Sequence, residues 1–332
     1  MSPRQRSLAL GIAAVLPVLA LYSLARGATD LDLLTLLTAA PDSPRAIILW
    51  ELRLPRTLLA MALGAGLGCA GAALQALFRN PLAEPGVLGI SSAAALGAVM
   101  AFHGGVTAIS VWALPLAGLG GALLVTLLLL AVARRVGSAH VTLLLAGVAL
   151  NSGAAALVAL LLNLAPNPYA LYEISFWLMG SVTDRGLDHL ALALPLIALG
   201  VALLIGVARQ LDALVLGEET ARSLGINPAR LARRVVAGTA LAVGPGVAIA
   251  GAIGFVGLLV PHAVRALAGT ARPAVVMPLS ALAGAGALLG VDLLVRLPLF
   301  STELKLGVMT GLLGAPLFFV LALRVRGVVS DR

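Results

Sequence analysis

DHLALALPLIALGVALLIGVARQLDALVLGEETARSLGINPARLARRVVAGTALAVGPGV, residues 188–247, decides the architecture of this chain. Two long apolar runs, 188–208 and 230–247, flank a charged island from Arg209 to Arg234. Each run is close to the roughly 20 apolar residues that an α-helix needs to cross a bilayer. The island holds eight charged residues in 26 positions, in a chain with 22 basic and 14 acidic residues in all. A membrane chain that keeps one charged, helix-forming segment between two spans presents it to the aqueous phase.

The rest of the sequence extends this reading. Of 332 residues, 61% are hydrophobic and 11% charged, with a mean hydropathy of +1.07. A soluble domain carries about 25% charge, so the solvent here is largely lipid. The 37 glycines suit close helix packing in a bilayer. Spans are predicted at 7–25, 57–77, 87–103, 108–133, 141–164, 188–208, 230–247, 249–266, 274–295 and 306–324. The fold class is therefore all-α: a polytopic membrane protein of about ten transmembrane helices, one domain over residues 1–332. The N-terminal apolar run is longer than the ~7–15 residues of a signal-peptide core and reads as the first span. A break is expected at Gly244-Pro245-Gly246, where proline removes a backbone donor and glycine admits unusual dihedrals.

The basic residues orient the spans. With both termini cytoplasmic, fifteen fall on the inner side, among them Arg4, Arg79, Arg134, Arg135, Arg265, Arg272, Arg324 and Arg332; seven fall outside, Arg26, Arg45, Arg53, Arg56, Arg185, Arg296 and Lys305. This is the positive-inside bias, and it accounts for the net charge of +8 without invoking nucleic acid. A weak internal echo links the stretch from Arg53 to the stretch from Arg230, with opposite topology, as in an inverted repeat.

Several chemistries are excluded. Lys305 is the sole lysine, so the Gly-Lys-Ser/Thr of a phosphate-binding P-loop cannot be built. His103, His140, His189 and His262 are scattered without metal-ligand spacing. No nucleophile elbow or paired intramembrane carboxylates appear. No catalytic or metal residues are assigned, and the chain is read as no enzyme by itself. An ion-coupled transporter would need intramembrane carboxylates, and Asp292, near a span end, is the sole candidate.

Five ordered motifs carry a resemblance: RLPR at Arg53–Arg56, FRNPLAEPG at Phe78–Gly86, LG-x(6)-LG at Leu216–Gly225, GFVGLLVPHAVR at Gly254–Arg265 and GLLGAP at Gly311–Pro316. The chain resembles, nearly end to end, the FecCD/BtuC family of permease subunits from bacterial ABC importers for siderophores, cobalamin and heme. The resemblance implies a type II importer fold of ten helices and a homodimer in the bacterial inner membrane. It also implies two separate ATPase subunits that hold ATP and Mg, and a periplasmic substrate-binding protein. No cofactor is expected in this chain.

The resemblance also assigns residues. The island, 209–234, matches the segment through which the ATPase moves the permease, with Asp212, Leu216, Gly217, Glu218, Glu219, Arg222, Leu224 and Gly225 as coupling residues. Arg53, Arg56 and Arg296 match positions that pair with acidic residues of the binding protein; lipid headgroup contact, or intrachain pairing with Glu51 or Asp292, is the other reading. Ser91, Ser92, Asn151 and Ser152 either line the pathway or form interhelical hydrogen bonds. The family has Pro where this chain has Lys305. The wording from Leu77 to Ala98 looks closest to the heme branch, with ferric siderophore and cobalamin as alternatives.

Overall fold

The computed structural model describes residues 2–27, 43–110, 112–136, 140–165, 167–297 and 303–329; for 321–329 only the backbone path is described. Arg332, counted above on the inner side, lies outside them. The described chain is all-helical. In order, α1 is Pro3–Ala25, α2 Pro44–Phe78, α3 Ile90–His103, α4 Ala113–Val136, α5 His140–Asn163, α6 Pro168–Leu178 and α7 Leu187–Gly206. Then come α8 Ala208–Val215, α9 Glu218–Ser223, α10 Pro228–Ala250, α11 Val256–Ala268, α12 Pro273–Val295 and α13 Leu306–Val329.

Each predicted span overlaps one of these helices, but the one at 249–266 also takes in the end of α10 and the non-helical residues 251–255. Among the described residues seven helices are long and apolar enough to cross a membrane, and three apolar ones are shorter: Ile90–His103, Val256–Ala268 and Leu306–Val320. At about 1.5 Å per residue, α3 and α11 reach only about 20 Å, less than the ~30 Å hydrocarbon core. The segment between α2 and α3 folds back beside α11. There the Glu84 carboxylate faces the backbone N–H of Phe255, and Gln75 Nε2 donates to the carbonyls of Gly257 and Leu258 at 3.3 and 3.4 Å.

The core is centred on α2, whose apolar window is 83% buried, whereas that of α1 is 6% buried. Small residues explain the depth. A Cβ on Gly64 would lie 2.1 Å from the Gly284 carbonyl oxygen, and one on Gly71 would lie 1.9 Å from that of Gly257. Backbones of α2, α11 and α12 thus touch directly, as lipid-embedded helices do where van der Waals packing drives association. The two stretches of the internal echo, on α2 and α10, also cross closely, Gly66 against the Ala242 carbonyl.

One expectation fails. α10 runs unbroken through Gly244-Pro245-Gly246. All three residues are buried, and Gly246 lies so close to Leu63 that a Cβ would meet its Cδ2 at 2.2 Å. The donor lost at Pro245 would have served the Leu241 carbonyl, a loss that membrane helices tolerate through their neighbours. The break falls instead at 251–255. Gly251 has φ +74, and a Cβ there would sit 2.4 Å from the Trp177 carbonyl oxygen; Phe255 follows at φ +65.

Candidate functional site

The charged island folds as two short helices. α8 buries Ala208, Leu211, Ala213 and Leu214 and is bolted to the bundle at two points. Asp212 accepts the Ala274 N–H at 2.9 Å and Arg272 Nη2 at 3.3 Å. This caps the start of α12, where Pro273 leads and the first amides lack helical partners. Arg79 Nη2 donates to the Leu214 carbonyl at 2.8 Å. Arg79 closes α2 with a left-handed backbone, φ +49, which turns its side chain toward α8.

α9 is defined by its ends. Gly217 enters at φ +131, and Glu218 and Glu219 stand in the first turn, where the helix dipole favours anions. At the other end the Gly225 N–H bonds the Arg222 carbonyl and the Ile226 N–H bonds the Ala221 carbonyl, both at 2.9 Å, with Gly225 at φ +76. That double closure needs a left-handed residue, hence glycine. Arg222 lies 3.5 Å from Glu218 but is 60% exposed; such a pair contributes roughly 0.3–0.5 kcal/mol. Ala221 is fully buried, whereas Leu216 and Leu224 are 74% and 65% exposed. The island therefore offers two bare leucines, with exposed Glu219 and Arg222, on a rigidly held base.

Of the eight expected coupling residues, the structure gathers Leu216, Gly217, Glu218, Glu219, Arg222, Leu224 and Gly225 around α9. It places Asp212 in the anchoring of α8, at 18% exposure. Arg79 and Arg272 share that anchoring and were not singled out. A lone arginine ending an apolar run, Phe78-Arg79, was the available signal for the first.

The opposite end of the bundle, about 33 Å away along the 22 residues from Ala274 to Arg296, carries an ionic cluster. Asp292 is fully buried and takes both Arg56, with Nη2 at 2.8 Å and Nε at 3.0 Å, and Arg296. Arg296 also donates to the Ser23 carbonyl at 2.9 Å. Arg56 continues to Glu303, which accepts a further bond from Thr183 Oγ1 at 3.2 Å. Arg53, 6% exposed, donates to the carbonyls of Leu24 and Ala25 at 2.8 Å, closing the end of α1. The three arginines are thus turned inward. Their intrachain role, the Asp292 pairing in particular, is the arrangement seen, and Arg56 also meets a carboxylate at the surface, Glu303 at 38% exposure.

Lys305, the departure from the family pattern, lies just before α13 with Nζ 3.7 Å from the ring centre of Phe176. Phe176 stacks in turn on Tyr172, centroids 5.4 Å apart. Burial pulls the Lys305 ammonium downward, against Glu303 and Asp184, which raise it. The helix that brings these aromatics, α6, was not among the predicted elements.

Ser92 donates to Asn151, joining α3 to α5. Gly89, at φ +77, lies so close to the Asn151 backbone that a Cβ would meet its nitrogen at 2.8 Å. This pair is an interhelical clasp. Ser91 is half-buried beside it, and Ser152 is exposed.

Comparison with known proteins agrees with this architecture. Residues 15–324 match the FecCD transport family. The vitamin B12 import system permease BtuC of Klebsiella pneumoniae is 42% identical over 282 residues, 85% of this chain and 84% of that protein. The same-named permease of Escherichia coli O9:H4 is 44% identical over 287 residues, 86% of each. YvrB of Bacillus subtilis, an uncharacterized ABC transporter permease, is 40% identical over 83% of this chain and 79% of that protein. Among solved structures, a chain described as an inward-facing conformation of a metal-chelate type ABC transporter superposes with a TM-score of 0.83 at 31% identity, covering 96% of this chain and 99% of that one. The chain belongs to the FecCD transport family and is a multi-pass permease subunit of an ABC transporter, its non-enzymatic membrane component.

Proposed function

We propose that this chain is the inner-membrane permease of an importer for cobalamin or a closely similar bulky metal chelate, working as a homodimer with two ATPase subunits and a periplasmic binding protein. The observation that carries the substrate reading is the 42–44% identity, across most of both chains, to permeases named for vitamin B12. The heme reading of Leu77–Ala98 finds no such support and gives way to it.

The island supports the coupling role. Leu216 and Leu224 supply exposed apolar contact on the cytoplasmic face, and exposed apolar groups on a charged surface mark a partner site. A push on α9 passes into α8, then through Asp212 to the start of α12 and through Arg79 to the end of α2. Those helices touch backbone to backbone at Gly64 and Gly284, so closure of the ATPase pair would move them as a unit. ATP and Mg belong to the ATPase, since this chain has no P-loop lysine.

At the outer face, Arg56 is assigned the docking role. It exchanges Glu303 for a carboxylate of the binding protein, a pairing suited to the guanidinium fork, while Arg53 and Arg296 brace the helices behind it. Ser91 and Ser152 stay candidates for the pathway, with Ser92 and Asn151 holding α3 against α5. The experiment is an absorbance spectrum of the cognate binding protein purified with its ligand. A corrinoid spectrum is expected; a heme Soret band would reverse the substrate assignment.

A further inference from the structure

Next to the island lies a cavity of about 270 Å³, lined by Gln75, Arg79, Val215, Arg265, Ala271 and Pro273 among others. Two of its polar groups are unsatisfied. Gln75 is 5% exposed; its Nε2 is engaged by the Gly257 and Leu258 carbonyls, but its buried Oε1 has no partner among the described residues. Arg265 Nη2 is likewise buried without a partner among the described residues. The nearby acid, Asp212, is already held by Ala274 and Arg272. Arg265 as a whole is half-buried, but a guanidinium N–H shut away from water without an acceptor is a cost that an apolar side chain of similar size does not carry. Stability alone therefore gives no reason for Arg265.

We propose that this cavity is a second socket for the ATPase, taking an acidic side chain whose carboxylate pairs with Arg265 and whose backbone N–H meets Gln75 Oε1. The inference rests on the ATPase-docking reading above. The position favours a protein partner: the walls are the end of α8, the arginine that fastens it, and the turn between α11 and α12, all on the island face. The size falls just below the ~300 Å³ at which small-molecule sites begin, which suits one side chain. Val215, 41% exposed, lines the cavity, and the next residue, Leu216, 74% exposed, continues the island's apolar surface. Through Arg265 the ATPase would hold α11 directly. That helix starts at the 251–255 break and lies against α2 at Gly71. The partner would thus grip the permease at two helices.

The test uses the permease in nanodiscs with its cognate ATPase. Arg265→Met should weaken association at least tenfold and leave the thermal midpoint of the isolated permease unchanged or raised. Arg265→Lys should recover part of the affinity. A photo-crosslinker at position 265 should label the ATPase. Unchanged affinity for Arg265→Met, a midpoint that falls together with the affinity, or labelling confined to lipid would each overturn the proposal. If Leu216→Glu with Leu224→Glu releases the ATPase while Arg265→Met does not, the socket fails and the coupling role stands. If the wild-type permease captures no ATPase, both fail.

Discussion

Removing Asp292 should uncouple the outer end of the bundle, and the structure sets the size of the effect. Its carboxylate is fully buried and joins Arg56 and Arg296, themselves 14% and 9% exposed. Deleting one member of a buried ionic group costs about 3–5 kcal/mol, because the remaining charges stay desolvated. Arg56 keeps Glu303 and Arg296 keeps the Ser23 carbonyl, so the low end, about 3 kcal/mol, applies to Asp292→Leu. At roughly 2–4 °C per kcal/mol for a large domain, the midpoint should fall by about 6–12 °C. Trp fluorescence or retention of the folded peak in a heated nanodisc preparation measures this. The triple variant Arg56→Met, Asp292→Leu, Arg296→Met removes all three charges together and should recover to within about 1 kcal/mol of wild type. A single variant as stable as wild type, or a triple variant no better than the single, would show that desolvated charge does not govern the stability of this end.

Glu303→Gln removes the carboxylate that competes for Arg56 and should tighten capture of the binding protein several-fold in a surface-binding assay; weaker capture would place Glu303 itself in the contact. Leu216→Glu with Leu224→Glu should leave the thermal midpoint unchanged and weaken ATPase association at least about tenfold, as for hot-spot residues, measured by pull-down titration. Asp212→Ala uncaps α12 at a cost of about 1 kcal/mol and should lower transport-coupled ATP hydrolysis more than ATPase affinity. Burial pushes the Glu84 carboxyl upward, only partly opposed by the Phe255 N–H. For an acid with a raised folded pKa, the penalty is absent below the unfolded value of about 4.3 and complete above the folded one. Glu84→Gln should therefore stabilise the protein at neutral pH, with the gain shrinking as pH falls toward the unfolded value in a pH series of midpoints.

The helices were legible because apolar runs of span length admit little else in lipid. The island was legible because charge is scarce around it. The misplaced break shows where local rules stop. Gly244-Pro245-Gly246 reads as a breaker in isolation, but burial against Leu63 and Ala122 keeps the helix intact, while the true break depends on the fit of Gly251 under Trp177. The inward turn of Arg56 and Arg296 was half-visible: Asp292 stood out as a carboxylate near a span end. Nothing local says that Arg56, 236 residues away, returns to it. Asp212 read as part of a surface because its partners, Ala274 and Arg272, lie beyond three further helices. α6 escaped notice because Pro168–Leu178 is too short for a span and sits in a connection.

ATP-driven uptake of labelled cyanocobalamin into proteoliposomes is the most direct measurement. The vesicles would hold this permease and its cognate ATPase, with the binding protein added outside. The proposed mechanism requires that accumulation depend on all three proteins and ATP, and that it stop when Leu216 and Leu224 are both replaced by Glu. Accumulation without the ATPase, or no corrinoid uptake by a complex that hydrolyses ATP and carries another ligand, would contradict it.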